Sequence, residues 1–143
     1  MTSTPVLAIQ DLSVSFGSAT PVKRASLTLE RGEMLALVGE SGSGKSLTAL
    51  SILRLLPAHA VLGGSIRFEG EELTQAKEQR LRQIRGHKVG MIFQEPMTSL
   101  NPLHHIEKQI SEVLFVHQGL GKSAARERTL ELLRLVGIPE PEK

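Results

Sequence analysis

Apolar and polar positions alternate along residues 6–16, where Leu7, Ile9, Leu12, Val14 and Phe16 predict a strand that Gly17-Ser18 ends. A second strand is predicted over 23–30, with Ala25, Leu27 and Leu29 on one face and Ser26, Thr28 and Glu30 on the other. Arg31-Gly32-Glu33 then turns into Met34-Leu35-Ala36-Leu37-Val38, an unbroken apolar run that predicts a short buried strand. From Lys45 to Leu56 the period becomes helical. Leu47, Leu50, Ile52, Leu53, Leu55 and Leu56 cover most of the circumference, which predicts burial in the core, and Pro57 stops the helix. Strands over 65–68 and 88–93 follow, separated by a turn at Glu69-Gly70 and a polar helix over 75–85. Beyond Glu95 the pattern is helical only. Asn101 is expected to cap a helix with Pro102 in its first turn and a stripe of Ile106, Ile110, Val113 and Leu114 running to about Gln118. Ser123 is expected to cap another, striped by Ala125, Thr129, Leu132, Leu133 and Val136 and closed by Gly137-Ile138-Pro139. The class is therefore α/β: an antiparallel β-layer beside an α/β core over 1–95, then an all-helical part over 96–143.

Between the apolar run and the helix lies Gly39-Glu40-Ser41-Gly42-Ser43-Gly44-Lys45-Ser46, which satisfies G-x-x-x-x-G-K-[ST] at each constrained position, in the strand-loop-helix context that motif requires. The residue types follow from the ligand. A triphosphate is strongly anionic and is held at close range by backbone N–H groups where no Cβ obstructs them, which Gly39, Gly42 and Gly44 allow. A helix starting near Lys45 aims its free N–H groups and positive dipole end at the same anion. Lys45 would reach the β- and γ-phosphates, and the Ser46 hydroxyl would ligate Mg²⁺. The competing structural reading is a glycine-rich turn with an incidental lysine.

Composition narrows the remainder. A chain of 143 residues can bury one ordinary core. The net charge is only +2, with Lys and Arg scattered among Glu, so no basic stripe points to nucleic acid. Without cysteine there are no disulfides or thiolate metal sites, which fits a reducing compartment. Met1-Thr2-Ser3-Thr4-Pro5 is no secretory leader, and no apolar window approaches the roughly 18 residues of a membrane span, so a cytoplasmic location is expected.

Taken in order, Phe16, the loop Gly39 to Ser46, and Met91-Ile92-Phe93-Gln94-Glu95-Pro96 resemble the ATP-binding subunits of ABC transporters. The extended runs Gly39 to Ser51 and Phe93-Gln94-Glu95-Pro96-Met97-Thr98-Ser99-Leu100-Asn101-Pro102 are similar to the branch that serves dipeptide, oligopeptide and microcin-type peptide importers. The resemblance implies the P-loop NTPase fold of an ABC ATPase domain, in its N-terminal half, with ATP and Mg²⁺ as cofactors. It implies that ATP is bound by Gly39, Glu40, Ser41, Gly42, Ser43, Gly44, Lys45, Ser46 and Leu47, with Phe16 stacked under the adenine. Gln94 would end a strand beside the γ-phosphate, ligating Mg²⁺ with Ser46 and positioning the attacking water, so that Lys45 and Gln94 carry the chemistry. The implied partners are transmembrane permease subunits docked by residues 95–118, a second ABC ATPase domain packed head to tail, and, indirectly, a periplasmic or extracellular peptide-binding protein. The implied location is peripheral, on the inner face of the cell membrane.

The sequence also departs from that pattern. Leu47 replaces a common threonine and removes a hydroxyl contact to the α-phosphate, and Phe16 replaces a common tyrosine, which keeps stacking but loses the phenol. Hydrolysis needs an aspartate, usually followed by a glutamate, at the end of an apolar strand, yet Asp11 is the only aspartate and lies upstream of the loop. No Leu-Ser-Gly-Gly-Gln-like signature opens a helix, since Leu62-Gly63-Gly64-Ser65 leads into a strand. His59, His87, His104, His105 and His117 fall outside the region of the family's switch histidine and read as ordinary surface or helix residues. The expectation is a chain truncated before the signature, able to bind nucleotide weakly and not to turn it over. The alternatives are a small P-loop kinase, which would need an arginine-bearing lid, a soluble ABC protein acting on DNA or ribosomes, which would need a basic groove, and a fragment that only binds the membrane partner.

Overall fold

The computed structural model describes residues 4–95 and 99–142, so Pro96, Met97 and Thr98 of the branch-specific run lie outside the described residues. The chain forms two compact units, Met1–Leu81 and Arg82–Lys143.

The first unit is built on a four-stranded antiparallel sheet of order β2-β1-β3-β4, with β1 at Leu7–Phe16, β2 at Ala19–Leu29, β3 at Val61–Phe68 and β4 at Glu71–Glu72. β1 and β2 are the two strands read from alternation, and β2 starts earlier, with Pro21 tolerated because this strand lies at the edge of the sheet. Leu7, Ile9, Leu12, Val14, Val22, Ile66 and Phe68 point inward and are buried with Leu73 and Leu81. Strict alternation would put Leu12 outside once Leu7 and Ile9 face in. The register shift between Ile9 and Leu12 restores it, with Asp11 as the extra residue at φ 48°. The Asp11 N–H donates to Ser26 Oγ at 2.9 Å and Arg24 Nε donates to its carboxylate at 3.1 Å, so the only aspartate belongs to an exposed bulge. On the other flank, Gln10 pairs with Ser65 and Ser13 with Gly63, leaving Gly64 against the bulge at φ +89°. Leu62 to Ser65 therefore lie within β3, which starts at Val61 rather than Ser65 and opens no helix.

β3 turns at Glu69-Gly70 into β4, which alternation did not reveal. Here Glu72 is a hub. Burial works against its ionisation, but donors from Ser65 Oγ, Thr74 Oγ1 at 2.6 Å, the Ile66 N–H at 3.1 Å and the Thr74 N–H at 3.2 Å outweigh it and hold the pKa at about 2 against an ordinary 4.5. A depressed carboxylate contributes stability that is complete above its unfolded pKa and is lost as the pH falls toward the folded one. The wild-type unfolding midpoint is accordingly expected to drop more steeply between about pH 5.5 and pH 2.5 than that of Glu72→Gln. Parallel curves would remove Glu72 from the acid response. Nearby, Arg80 clasps Glu71 at 2.7–3.0 Å, a hydrogen-bonded pairing that raises the guanidinium pKa. Arg80 belongs to α2 (Glu78–Ile84), shorter than the helix expected over 75–85.

Two expected strands are absent as strands. Residues 34–38 run without ladder bonds, with Met34 96% and Val38 88% exposed. Residues 88–93 form only an isolated bridge, Arg85 to Val89, and leave Ile92 97% exposed. Apolar composition favours burial, but a strand exists only where a neighbour takes its backbone groups, and no described strand lies alongside either segment. The same gap corrects the expectation for α1, which runs Lys45–Ile52 and ends well before Pro57. Of the six expected positions Leu53, at the C-cap, is buried as expected, whereas Leu47, Leu50, Ile52 and Leu56 are half-buried and Leu55 is exposed. A cleft of about 230 Å³ lies among Leu27, Leu29, Leu35, Leu37, Ala49 and Ile52.

The second unit carries α3 (Ile106–Gln118) and α4 (Lys122–Leu135), joined by three residues. Ala125 and Thr129 of the expected stripe are buried with Ser111 and Leu114, Leu132 and Leu133 are half-buried, and Val136 is 74% exposed at the C-cap. α3 starts later than expected because Asn101 serves a turn instead: its Oδ1 accepts the Leu103 N–H at 2.9 Å, and the Gln109 amide returns to the Asn101 backbone. α4 starts at Lys122 behind Gly121, so Ser123 is inside the helix rather than capping it. At the far end Gly137, at φ 82°, donates to the Arg134 carbonyl as the expected stop.

Candidate nucleotide-binding site

The loop at 39–44 follows a turn out of β2 and is held at its downstream end. Upstream, the Glu33 N–H donates to the Glu30 carbonyl and the Glu33 carboxylate accepts the Glu30 N–H at 2.7 Å, closing the turn out of β2. Downstream, the Thr48 N–H and hydroxyl both donate to the Gly44 carbonyl, at 2.8 and 2.9 Å, and seat the first turn of α1. Gly44 is buried at φ +89°, and a Cβ there would lie 2.8 Å from Val22 Cγ2 and 2.9 Å from the Pro21 carbonyl oxygen. The loop is therefore fastened to β2, the strand that pairs with β1 through Val14–Val22 and Phe16–Ala19. Two residues along a strand span roughly 7 Å, so Phe16 at the end of β1 stands within a nucleotide's length of the Gly44 contact.

The electrostatics suit an anion. α1 has no acidic residue in its first turn and no side-chain cap at Gly44, which leaves its leading N–H groups, Ser46 and Leu47 among them, for an external acceptor. Lys45 Nζ lies at the loop mouth, donating to the carbonyls of Gly39 at 2.7 Å and Glu40 at 2.6 Å and to Ser43 Oγ at 3.1 Å. The Ser43 N–H closes the loop onto the Glu40 carbonyl at 3.2 Å, and Ser41, Gly42 and Ser46 are exposed. Gly39 to Leu47 and Phe16 thus belong to one unit. Gln94 is an exposed bend residue of the other, and its part in the site is carried by resemblance alone.

One residue set aside as ordinary surface has a place here. The ring of His59 lies 5.3 Å from that of Phe16, tilted by 59°. No local pattern could have shown it, because the contact depends on β3 beginning at Val61. The other histidines belong to the second unit, where His87 stacks on His117 at 6.0 Å and 16°, His104 Nδ1 lies 3.5 Å from Lys108 Nζ, and His105 precedes α3.

An antiparallel layer fastened to a glycine-lined loop at a helix start defines a nucleotide-binding fold of the phosphate-loop class. Residues 22–143 match the ABC transporter family, and the chain belongs to it. The chain is 57% identical, over all of its length and 28% of the relative's, to the "Uncharacterized ABC transporter ATP-binding protein YejF" of Escherichia coli (strain K12). It is 56% identical to the "Peptidoglycan transport ATP-binding protein YejF" of Agrobacterium fabrum, over 97% of this chain and 27% of the relative. It is 47% identical to the "Oligopeptide transport ATP-binding protein OppD" of Bacillus subtilis, over 98% of this chain and 41% of the relative. The chain therefore spans between about a quarter and two fifths of these relatives. The ATP-binding cassette MJ0796, in a dimeric post-hydrolysis state bound to ADP and Pi, superposes with a TM-score of 0.76 at 23% identity, covering 94% of this chain and 58% of that one, which shows the shared fold.

Proposed function

We propose that this chain is the nucleotide-binding part of the energy-coupling subunit of a peptide-importing ABC transporter, with 1–95 as its β-layer and phosphate-loop core and 96–143 as the beginning of its helical subdomain. One observation carries the proposal: the Lys45 ammonium is folded onto the carbonyls of the glycine loop at a helix start that no side chain caps. In this reading Gly39 to Leu47 hold the ATP phosphates, Phe16 carries the adenine, and Lys45 offsets the charge of the β- and γ-phosphates. Leu47 contributes its N–H where a threonine would add a hydroxyl.

Ser46 and Gln94 suit Mg²⁺, since both offer neutral hard oxygens and both are exposed. Mg²⁺ shares its shell with waters and substrate phosphates, so one or two protein oxygens suffice. When bound, it would neutralise charge on the phosphate oxygens during phosphoryl transfer. Gln94 would orient the attacking water. With Asp11 engaged by Arg24 in the β-layer, turnover is assigned to a longer polypeptide of the relatives' size.

The partners in this reading are transmembrane permease subunits, a second ABC ATPase domain in a head-to-tail pair, and, through the permease, a peptide-binding protein. The segment 95–118, which would dock the permease subunits, exposes Leu103 at 87% in the turn before α3 and Val116 at 70% on α3. No helix among the described residues is long and apolar enough to cross a membrane, and attachment to the inner face through the permease is proposed. The name of the Agrobacterium relative favours a second cargo, peptidoglycan.

A titration of the full-length protein with a fluorescent ATP analogue tests the site. Saturable binding, tightened by Mg²⁺ and competed by ATP and ADP, is expected. Failure to bind even with Mg²⁺ would leave this chain an interaction role alone.

A further inference from the structure

The base end of the site contains a ring contact that the phosphate loop does not account for. Phe16 is half-buried at the tip of β1, and across the β1–β2 ladder it faces Ala19, whose methyl group is too small to fix the attitude of a phenyl ring. His59 approaches from elsewhere, with ring centroids 5.3 Å apart and planes inclined by 59°, inside the range in which aromatic pairs attract. The approach is built into the backbone. The Ala60 N–H donates to the Pro57 carbonyl at 2.9 Å, making a tight turn with His59 inside it, and the next residue, Val61, is locked opposite Ser15 in the β1–β3 ladder. His59 thus arrives on a turn tied to the strand that carries Phe16.

A tilted contact of this kind limits rotation of the phenyl ring while engaging at most one of its two faces. His59 is itself exposed, so it adds little to the core, and its ring has another use only if Phe16 has something to receive. Because Gly44 packs closely on β2, which is paired with β1, the Phe16 ring and the phosphate loop share one framework.

We propose that His59 is a positioning residue for the nucleotide base, holding the Phe16 ring at the inclination in which its open face accepts a purine. This rests on Phe16 being the base platform. The consequence is a division of labour: His59 governs affinity for the base and leaves affinity for the phosphates untouched.

The test compares ATP with tripolyphosphate, which has the charge but no base, by calorimetric titration of the full-length protein. His59→Ala is expected to weaken ATP binding by about 2- to 10-fold and to leave tripolyphosphate unchanged. His59→Phe, which keeps a ring on the turn, is expected to recover most of the loss. In a Phe16→Ala background, the further change His59→Ala is expected to cost nothing more. The proposal is overturned if His59→Ala binds ATP as the wild type does, if tripolyphosphate weakens in parallel, or if the loss persists without Phe16. Failure of the underlying assignments looks different. Phe16→Ala with undiminished ATP affinity removes the platform and His59's task with it, and wild-type protein that binds neither ligand removes the phosphate-loop site altogether.

Discussion

Lys45→Ala in the full-length protein is expected to lower ATP turnover by at least about 100-fold, the scale seen when one preorganised charge-stabilising group is removed from a polar site. The ammonium rests on the Gly39 and Glu40 carbonyls and Ser43 Oγ, beside the uncapped start of α1. An anion arriving at the uncapped start of α1 would draw the ammonium off these oxygens, and alanine removes the positive charge it would meet there. Lys45→Arg is expected to fare little better, because a planar fork does not fit where a compact ammonium makes three short bonds. Binding of ADP should suffer less than binding of ATP, since the amides remain and the γ-phosphate depends most on the side chain. Phosphate-release assays with paired ATP and ADP titrations check this, alongside an unfolding curve to show that the fold survives. Turnover within a few-fold of wild type would mean that the loop is a structural turn and Lys45 incidental.

What local pattern determines was legible in advance. The alternation of 6–16 and 23–30 marked β1 and β2, the loop motif marked the turn that leads into α1, and the helical stripes marked α3 and α4, although Ile106 and Val113 of the first stripe lie exposed. What depends on a distant partner was not. Residues 34–38 and 88–93 have the composition of buried strands, but composition does not supply the neighbour whose carbonyls and amides complete a ladder: 34–38 lie exposed, and in 88–93 Val89 and Met91 are half-buried and the rest exposed. α1 shows the same thing from the other side, its Ala49 and Ile52 bordering a cleft rather than a packed layer. The switch of parity between Ile9 and Leu12 was visible as imperfect alternation, whereas the bulge that explains it needed Arg24 and Gly64 from two other strands. Asn101 had the chemistry of a cap and used it on a turn. His59 could be placed beside Phe16 only once the start of β3 was known. The sheet that sets the site's geometry is therefore held by long-range contacts, and its weakest tolerance lies at the bulge.

That tolerance predicts the largest loss of stability from a single methyl group. Gly64 sits at φ +89° where the β3 backbone crosses the Asp11 bulge, and a Cβ there would lie 2.5 Å from the Asp11 carbonyl oxygen, 2.6 Å from that of Gln10 and 2.7 Å from the Asp11 carbonyl carbon. All three obstacles are backbone atoms of the central strand β1, which is bonded to β2 on one side and β3 on the other. Relief by a rotamer change is impossible, so either β3 moves or the bulge opens. Left-handed strain of about 1–2 kcal/mol and overpacking of about 1–3 kcal/mol together predict that Gly64→Ala destabilises the protein by about 2–5 kcal/mol. Gly63 supplies the control on the same strand. It has no positive φ, and its Cβ would meet Ser13 Oγ at 2.6 Å, a hydroxyl that can turn away, so Gly63→Ala is expected to cost less than about 1 kcal/mol. Urea denaturation of the two variants should show a markedly lower midpoint for Gly64→Ala at an unchanged slope, and a midpoint near wild type for Gly63→Ala. If the two fall together, the bulge is not the constraint. The ladder that would give way is the one that sets Val61 opposite Ser15, so Gly64→Ala should also weaken ATP binding more than tripolyphosphate binding, as loss of the His59–Phe16 contact would.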